Sequence, residues 1–432
     1  MLEMVVPLCF SCSVNSFKSA FGIGRPSQIE RITKSVFSYK SRSLATTAHQ
    51  NWLSFDYSVD ITDSDYVQVL TAKNVPCTLN LRQHYDELFR DPREPSARRF
   101  VWDTWVVCCG EGKAGNQAPL PGDEDYNQLQ APCEGEREAA ASQIQYSLKR
   151  AQCSEFFAQS GEENDVYEQL IEDITKLGQS IGCSCTTPPW ISLYTPGDQQ
   201  NLHMDSTHGP MAWVLSITND ADYGKTFTGG ETLLLQPRIL EFWKDYSPDT
   251  GGKETPTILR FIPPRFGQCI AFDPRIPHGV NLIKGGSNDP RHGRIVLHGW
   301  FAEPEITWLG DEDNDYISNE ELQQEAQEIL DAKMDALLDG LADSDIGRVI
   351  GYLALRVDIS PKGTVDGIHA VCDTLKADPS DYRGVIGEDP EGRQIMEDAT
   401  ADIRLTINEN LSEMYFPETK SGGSVVVPFD FL

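Results

Sequence analysis

Apolar residues along this chain change their spacing several times, and each change marks a structural element. Between Tyr167 and Ile181 they recur at intervals of three and four (Leu170, Ile171, Ile174, Leu177, Ile181), which predicts an amphipathic helix. From Trp190 to Trp308 the pattern turns to short β runs broken by Gly and Pro: Trp190 to Tyr194, Trp213 to Thr218, Thr232 to Leu235, Thr257 to Phe261, Cys269 to Phe272 and Arg294 to Phe301. Many short strands with little helix predict a closed or double-sheet β architecture such as a jelly roll. Glu320 to Leu341 returns to the helical period through Ala326, Ile329, Leu330, Met334, Leu337 and Leu338. Beyond it, Val349 to Ile359, the turn Ser360-Pro361-Lys362-Gly363 and Thr364 to Leu375 predict a hairpin. A helix over Gln394 to Leu411 and a last strand at Val425 to Phe431 complete a small α+β module.

The remaining segments are less regular. Arg99 to Cys109 is rich in Val and Trp and predicts a strand, Gly110 to Glu134 reads as a long loop, and Asp63 to Arg90 mixes helical and extended signals without a clear assignment. Trp308 to Asn319, with Asp311, Glu312, Asp313 and Asp315, reads as a solvated linker. The expected organisation is a leader over 1–48, a mainly β domain over 49–310 with its core at 190–302 and supporting N-terminal helices, and a helix plus α+β domain over 320–432. The C-terminal order of strand, glycine turn, strand, helix and strand resembles the C-terminal domain of TonB-like proteins, and any protein partner of that module is unknown.

Charge adds a boundary. Residues 1 to 50 carry six basic side chains (Lys18, Arg25, Arg31, Lys34, Lys40, Arg42) against Glu3 and Glu30, so of the formal net charge of -30 the rest of the chain holds about -34. A basic, Ser- and Thr-rich start is the composition of an organelle transit peptide, which points to a plastid or mitochondrion, with the cytoplasm as the other reading. So acidic a body repels phosphate backbones and anionic bilayers, arguing against general nucleic-acid binding, and no stretch is apolar for the length a membrane span needs. The eleven cysteines lack zinc-type clustering and read as reduced thiols.

Five of the eight histidines fall between His203 and His298. Within His203-Met204-Asp205, an extended backbone places residues i and i+2 on one face, so that an imidazole and a carboxylate converge. A second imidazole from a distant strand, His278, would complete a two-histidine, one-carboxylate triad that leaves adjacent positions open for a chelating cosubstrate and dioxygen. Alone, H-x-D is a weak signal. Here it stands in an ordered series: Leu193-Tyr194-Thr195-Pro196-Gly197, then H-x-D, Phe227-Thr228-Gly229-Gly230-Glu231-Thr232, Gly267-Gln268-Cys269-Ile270-Ala271-Phe272, Pro277-His278-Gly279-Val280, and Gly293-Arg294-Ile295-Val296-Leu297-His298-Gly299-Trp300-Phe301.

That series resembles the double-stranded β-helix core of the iron(II)- and 2-oxoglutarate-dependent oxygenases, in the branch that includes prolyl hydroxylases. The resemblance covers roughly residues 190 to 302. It implies Fe(2+) held by His203, Asp205 and His278, and 2-oxoglutarate held by Arg294, whose planar fork suits a carboxylate, with Tyr194 as a further cosubstrate contact. It implies O2 as the oxidant and ascorbate as a supporting reductant. The interval from His278 to Arg294 is longer than the family's, the excess lying in Lys284-Gly285-Gly286-Ser287-Asn288-Asp289-Pro290. This makes Lys284 and Arg291 rivals for the carboxylate, but only Arg294 opens the Ile-Val-Leu strand. Retention of the carboxylate ligand argues against halogenation.

For substrate contacts, Arg275 is weighed against a surface ion pair, His208 and His298 against residues that merely hydrogen-bond beside the site, and Tyr146 and Arg150 against an ordinary helical face. Gly229-Gly230 marks a bulge or close backbone approach rather than a phosphate loop. Three functions stay open: an oxygenase of a small organic substrate in secondary metabolism, including an oxidative cyclase of the kainoid-forming type; a peptidyl-prolyl or other protein hydroxylase; and a non-catalytic metal-binding interaction module.

Overall fold

The computed structural model describes residues 53–55, 68–89, 101–108, 111–114, 144–157, 165–205, 208–235, 259–310, 314–342, 348–377 and 390–431. The expected leader at 1–48, Gly110 and residues 115–134 of the expected loop, Thr257 and Ile258 of an expected strand, and Asp311, Glu312 and Asp313 of the expected linker lie outside them.

The core is built from β1 (Leu70–Ala72), β4 (Ile144–Gln152), β6 (Trp190–Tyr194), β7 (Gln199–His203), β8 (Met211–Ser216), β10 (Thr232–Leu235), β11 (Leu259–Ile262), β12 (Cys269–Phe272), β13 (His278–Val280) and β15 (Arg294–Pro304). These pair in the order β1-β12-β8-β15-β6-β4-β7-β13-β10-β11, every pair antiparallel. The sheet curls on itself. Ile270 and Phe272 of β12 share one buried cluster with Leu234 of β10 and Ile262 of β11, from the far end of the order. This is the jelly-roll type of architecture that the strand pattern predicts.

Period-two alternation divides the sheet into two faces. On β15, Ile295 and Leu297 point outward into a core formed with α1 (Thr78–Leu88), α2 (Cys153–Phe157) and α3 (Asp165–Gln179), whose Leu170, Ile174 and Leu177 are fully buried. Arg294, Val296 and His298 consequently point inward. Helix α1 and strand β1 resolve the segment left unassigned by its mixed signals. From α1, Tyr85 donates to the Pro290 carbonyl at 2.9 Å and Arg82 to that of Arg291 at 2.7 Å. The turn-rich insertion before Arg294 is thereby anchored rather than loose, and part of it, β14 (Lys284–Gly285), pairs with β9 (Phe227–Thr228).

Two expectations are corrected. The start of the expected loop is a strand, β3 (Glu111–Ala114), hairpinned onto β2 (Val101–Cys108). Gln145 to Arg150 is β4 rather than a helical face: its Leu148 is apolar and buried against Tyr194 and Val296, so pairing in the sheet overrides the local helical reading.

The described parts of the expected linker, 308–310 and 314–319, are also structured. β16 (Thr307–Leu309) joins a second sheet with β20 (Gly423–Phe431), β17 (Val349–Ile359) and β18 (Val365–Asp373), with β19 (Lys376–Ala377) on β17. The short α4 (Asp315–Ser318) is capped by Asn314, whose side chain accepts from the Tyr316 amide. Apolar side chains of Trp308 and Tyr316 stack with ring centroids 4.9 Å apart, and that burial outweighs the acidic composition. Helices α5 (Glu320–Ala342) and α6 (Pro390–Ser412) complete this module; of the apolar set on α5, Leu338 remains exposed. Tyr352, Ala354, Val371, Cys372 and Val426 of the second sheet belong to the same buried cluster as the jelly-roll's outer face. None of the described helices is long and apolar enough to cross a membrane. Six described cysteines are free thiols, five of them buried.

Candidate metal and cosubstrate site

The strand register assembles the site. His203 ends β7 directly opposite His278, which opens β13, and the two rings lie 4.4 Å apart. Two features fix the β7 end. Buried Asp198 accepts from the Thr195 amide at 2.7 Å and from Lys149 at 3.0 Å, closing the β6–β7 turn, and the Asp205 amide donates to the Pro274 carbonyl at 3.1 Å. Asp205 thus meets both imidazoles, at 3.4 Å from His203 Nε2 and 3.5 Å from His278 Nε2. One donor atom from each of the three residues falls within 4.8 Å of the others.

The tautomers suit metal binding. His203 Nδ1 lies 3.0 Å from the Asn201 carbonyl and His278 Nδ1 lies 2.9 Å from that of Ile276. A carbonyl only accepts, so each Nδ1 carries a proton and each Nε2 is the atom turned toward Asp205: with a proton it donates to the carboxylate, and without one it offers its lone pair to a metal, an arrangement common for metal-ligating histidines. Burial opposes ionisation of Asp205, but hydrogen bonds from His203 and His278 hold its carboxyl well below the usual range, ready as an anionic ligand.

Arg294 approaches from the opposite wall. It is 2% exposed, its Nη2 donates to Thr232 Oγ1 at 3.1 Å, and its Nε and Nη1 have no hydrogen-bond partner. Thr232 pairs with Val280 and Leu234 with His278, so the guanidinium reaches the strand beside the one that carries the metal ligand. Burial pulls its pKa below the ordinary guanidinium value, opposed by Tyr194 and Glu231. Leaving two donors of a buried cation unpaired costs free energy, and a carboxylate placed there would recover it. The Gly-Gly pair makes the approach possible: a Cβ on Gly230 would stand 2.5 Å from Ile283 Cδ1 and 3.0 Å from Arg294 Cδ, and one on Gly229 would strike the Leu282 carbonyl.

Tyr194 lies beneath Arg294, its ring 4.8 Å from the guanidinium carbon, and burial raises its hydroxyl pKa to about 12. That hydroxyl donates to Gln200 Oε1 at 3.0 Å, and Gln200 Nε2 lies 3.1 Å from His203 Nε2. Gln200 therefore links Tyr194, beneath Arg294, to His203. No spacing or motif marks it in the sequence; only the pairing of β7 with β4 and β13 brings it there.

Of the remaining predicted contacts, His298 points inward, accepts or donates at Ser192 Oγ across 2.9 Å, and is pushed down to about 3 by burial and by Arg150. Arg150 stacks 4.8 Å above the Trp190 ring. His208 packs edge-on to Trp300, centroids 4.7 Å apart. Arg275 does not join them: its guanidinium pairs with Asp273 at two oxygens and reaches Thr374 of the second sheet, the ion-pair reading. Among the rivals for the cosubstrate, Arg291 is held by Asp289 at 2.6 Å and Lys284 is exposed. His292, on the same insertion, pairs with Asp222 at 3.1 Å.

Compared with known proteins, the chain matches no protein-family model and no curated protein. Solved structures similar to it include a Pseudomonas putida prolyl-4-hydroxylase (13% identity, 55% of this chain and 93% of that one, TM-score 0.30). AviO1 from Streptomyces viridochromogenes is another (18% identity, 56% and 91%, TM-score 0.30), as is an oxidoreductase of the 2OG-Fe(II) oxygenase family from Burkholderia pseudomallei (11% identity, 54% and 83%, TM-score 0.27).

Proposed function

We propose that this protein is an iron(II)- and 2-oxoglutarate-dependent oxygenase acting on a small organic substrate. The observation that carries the reading is the buried Arg294, with two unpaired donors, on the same inner face as a His-Asp-His triad. Each group fits this chain. Two neutral imidazoles and one carboxylate are the donor set for a facial iron site, and Arg294 with Thr232 is a receptor for the distal carboxylate of 2-oxoglutarate.

His203, Asp205 and His278 would hold the metal, the two rings fixed by the hydrogen bonds of their Nδ1 atoms to the Asn201 and Ile276 carbonyls. Arg294, Thr232 and Tyr194 would orient the cosubstrate, and the apolar residues around them (Val296, Val280, Ile283) would keep water from it. Iron(II) with 2-oxoglutarate and dioxygen supplies the oxidising power to break an unactivated C–H bond, 2-oxoglutarate leaving as succinate and carbon dioxide. Hydroxylation, desaturation and ring closure are all outcomes of that chemistry, and ascorbate would sustain it by keeping the iron reduced.

The test is anaerobic addition of iron(II) and 2-oxoglutarate, followed by the visible charge-transfer band of the chelate, and then succinate formation in air with ascorbate and a metabolite extract. Wild type is expected to develop the band and form succinate, His278→Ala to do neither, and Arg294→Ala to lose cosubstrate affinity while still binding iron. Wild-type protein that binds neither iron nor 2-oxoglutarate would overturn the proposal. Extract fractions compared with Pro-containing peptides distinguish a small substrate from a protein one.

A further inference from the structure

Gln200 faces the metal position for a reason that strand alternation alone does not supply. On a regular strand, Gln200 and His203, three residues apart, would face opposite sides of the sheet. Here both face inward, because β7 runs three residues from Gln200 to His203 while β13 runs two from Val280 to His278, the register shift of a β-bulge. Gln200 pairs with Val280, which packs inward with Tyr194 and Val296, and His203 pairs with His278. Gly279 makes room for the bulge: a Cβ there would stand 2.5 Å from the Gln200 carbonyl oxygen and 3.1 Å from that of Asn201. Inside the bulge, the Asn201 carbonyl accepts from His203 Nδ1 at 3.0 Å. One backbone feature thus aims both the metal ligand and the glutamine.

The Gln200 side chain is half-buried, and both of its polar atoms are engaged. Burial pushes the Tyr194 hydroxyl up to about 12 and keeps it a protonated phenol, so Tyr194 donates and the amide oxygen Oε1 accepts at 3.0 Å. The other end of the amide is then Nε2, a donor only, 3.1 Å from His203 Nε2. In the neutral ring the proton sits on Nδ1, held to Asn201, and the Nε2 lone pair receives the amide N–H. A metal needs that same lone pair. It can serve the amide or the metal and not both, so a metal displaces a donor that Tyr194 keeps within the site. Tyr194 in turn lies beneath Arg294, and a displaced N–H recovers its lost bond by donating to an anion that enters between that wall and the metal.

We propose that Gln200 is a positioning residue that couples the metal to the cosubstrate: its amide N–H competes with the metal for His203 Nε2 and, once displaced, donates to the carboxylate at the chelating end of 2-oxoglutarate, while Tyr194 holds the amide in place. Metal binding thereby prepares a donor for the cosubstrate, and the order of metal first and cosubstrate second follows from it. The inference rests on the oxygenase reading for the identity of metal and cosubstrate.

The test uses full-length protein without oxygen and compares wild type with Gln200→Leu, which keeps the bulk, and Gln200→Glu, which keeps the shape and loses the donor. Calorimetric titration of iron(II) alone measures the competition, titration of 2-oxoglutarate into iron-loaded protein measures the donated bond, and the wavelength of the chelate band reports whether an N–H reaches the chelate. Both variants are expected to bind iron(II) about three- to tenfold tighter and 2-oxoglutarate about three- to tenfold more weakly, the value of one hydrogen bond in each step, with the band displaced from its wild-type position. Gln200→Glu should show the larger shifts, because its added negative charge favours the metal and repels the acid. A residue that only supported the strand would weaken both ligands together when replaced, and the unfolding midpoint of each variant establishes that the fold is kept. Iron affinity that does not rise, 2-oxoglutarate affinity that does not fall, or a band left in place would overturn the proposal. A wild type that forms no chelate band would overturn the oxygenase reading and this inference with it, whereas a normal wild-type band with unshifted variants strikes this inference alone.

Discussion

Arg294 illustrates how a single side chain can state what a site is for. Its guanidinium is buried with only one of its donor groups satisfied, by Thr232, so the protein holds a buried cation that an entering carboxylate would satisfy. Replacing it with Ala should weaken 2-oxoglutarate binding by about 10- to 100-fold, the value of one or two charge-assisted hydrogen bonds, and Lys should recover little because it lacks the planar fork. Calorimetric titration of 2-oxoglutarate into the iron-loaded variants measures this. His298 makes a different prediction. Its folded pKa, pushed down to about 3 from the ordinary 6.5, means the folded state takes up its proton less readily than the unfolded chain. The stability it contributes is therefore present above pH 6.5 and lost as pH falls toward 3. Imidazole NMR should show His298 neutral at pH 5, and His298→Gln should lessen the fall in unfolding midpoint between pH 7 and pH 4.

At the scale of elements, the site depends on where strands begin and end. The junction between β9 and β10 passes so close to Arg294 that only glycine fits: Gly230 has φ of 77° and no room for a Cβ. Gly230→Ala should destabilise the fold by about 1–3 kcal/mol through backbone strain, and more if Ile283 cannot yield. It should also raise the 2-oxoglutarate dissociation constant by displacing the arginine stem. Denaturant unfolding together with cosubstrate titration would separate the two effects. The β6–β7 turn acts similarly from the other side, since the Asp198 hydrogen bonds close the turn from which β7 carries Gln200 and His203 alongside β13 and His278.

For the molecule from Leu70 to Phe431, the two sheets are joined by more than a tether. Tyr352 Oη donates to the Ile181 carbonyl at 2.6 Å and contacts Cys183 Sγ, at the end of the helix that backs the jelly roll. Apolar residues of both sheets share one buried cluster there. Tyr352→Phe should cost about 1–3 kcal/mol by orphaning a buried carbonyl. A single cooperative transition, seen with the same midpoint by fluorescence and circular dichroism, is expected for both wild type and variant. Two separate transitions would show that the shared cluster does not couple the sheets.

Local pattern was enough for much of this. Helices α3 and α5 and the core strands β6, β8, β10, β11, β12 and β15 follow from apolar spacing, because a side chain's face depends only on the period of its own element; β7 and β13 do not. The triad was legible for a related reason: His203 and Asp205 are two residues apart on extended backbone, and His278 lies in an ordered series of motifs. Arg294 was legible as the opening residue of its strand. Long-range pairing was not. Gln200 carries no local mark, nothing in the sequence sets Thr232 against Arg294, and Gln145 to Arg150 was read with the wrong period because alternation over so few residues cannot be told from a helical face until a neighbouring strand is present. The two ends of the segment after Trp308 read as solvated, until stacking of Trp308 on Tyr316 and pairing of Thr307–Leu309 with β20 gave them a core. Which residues share a wall is a property of register between strands distant in sequence, and only the tertiary structure decides it.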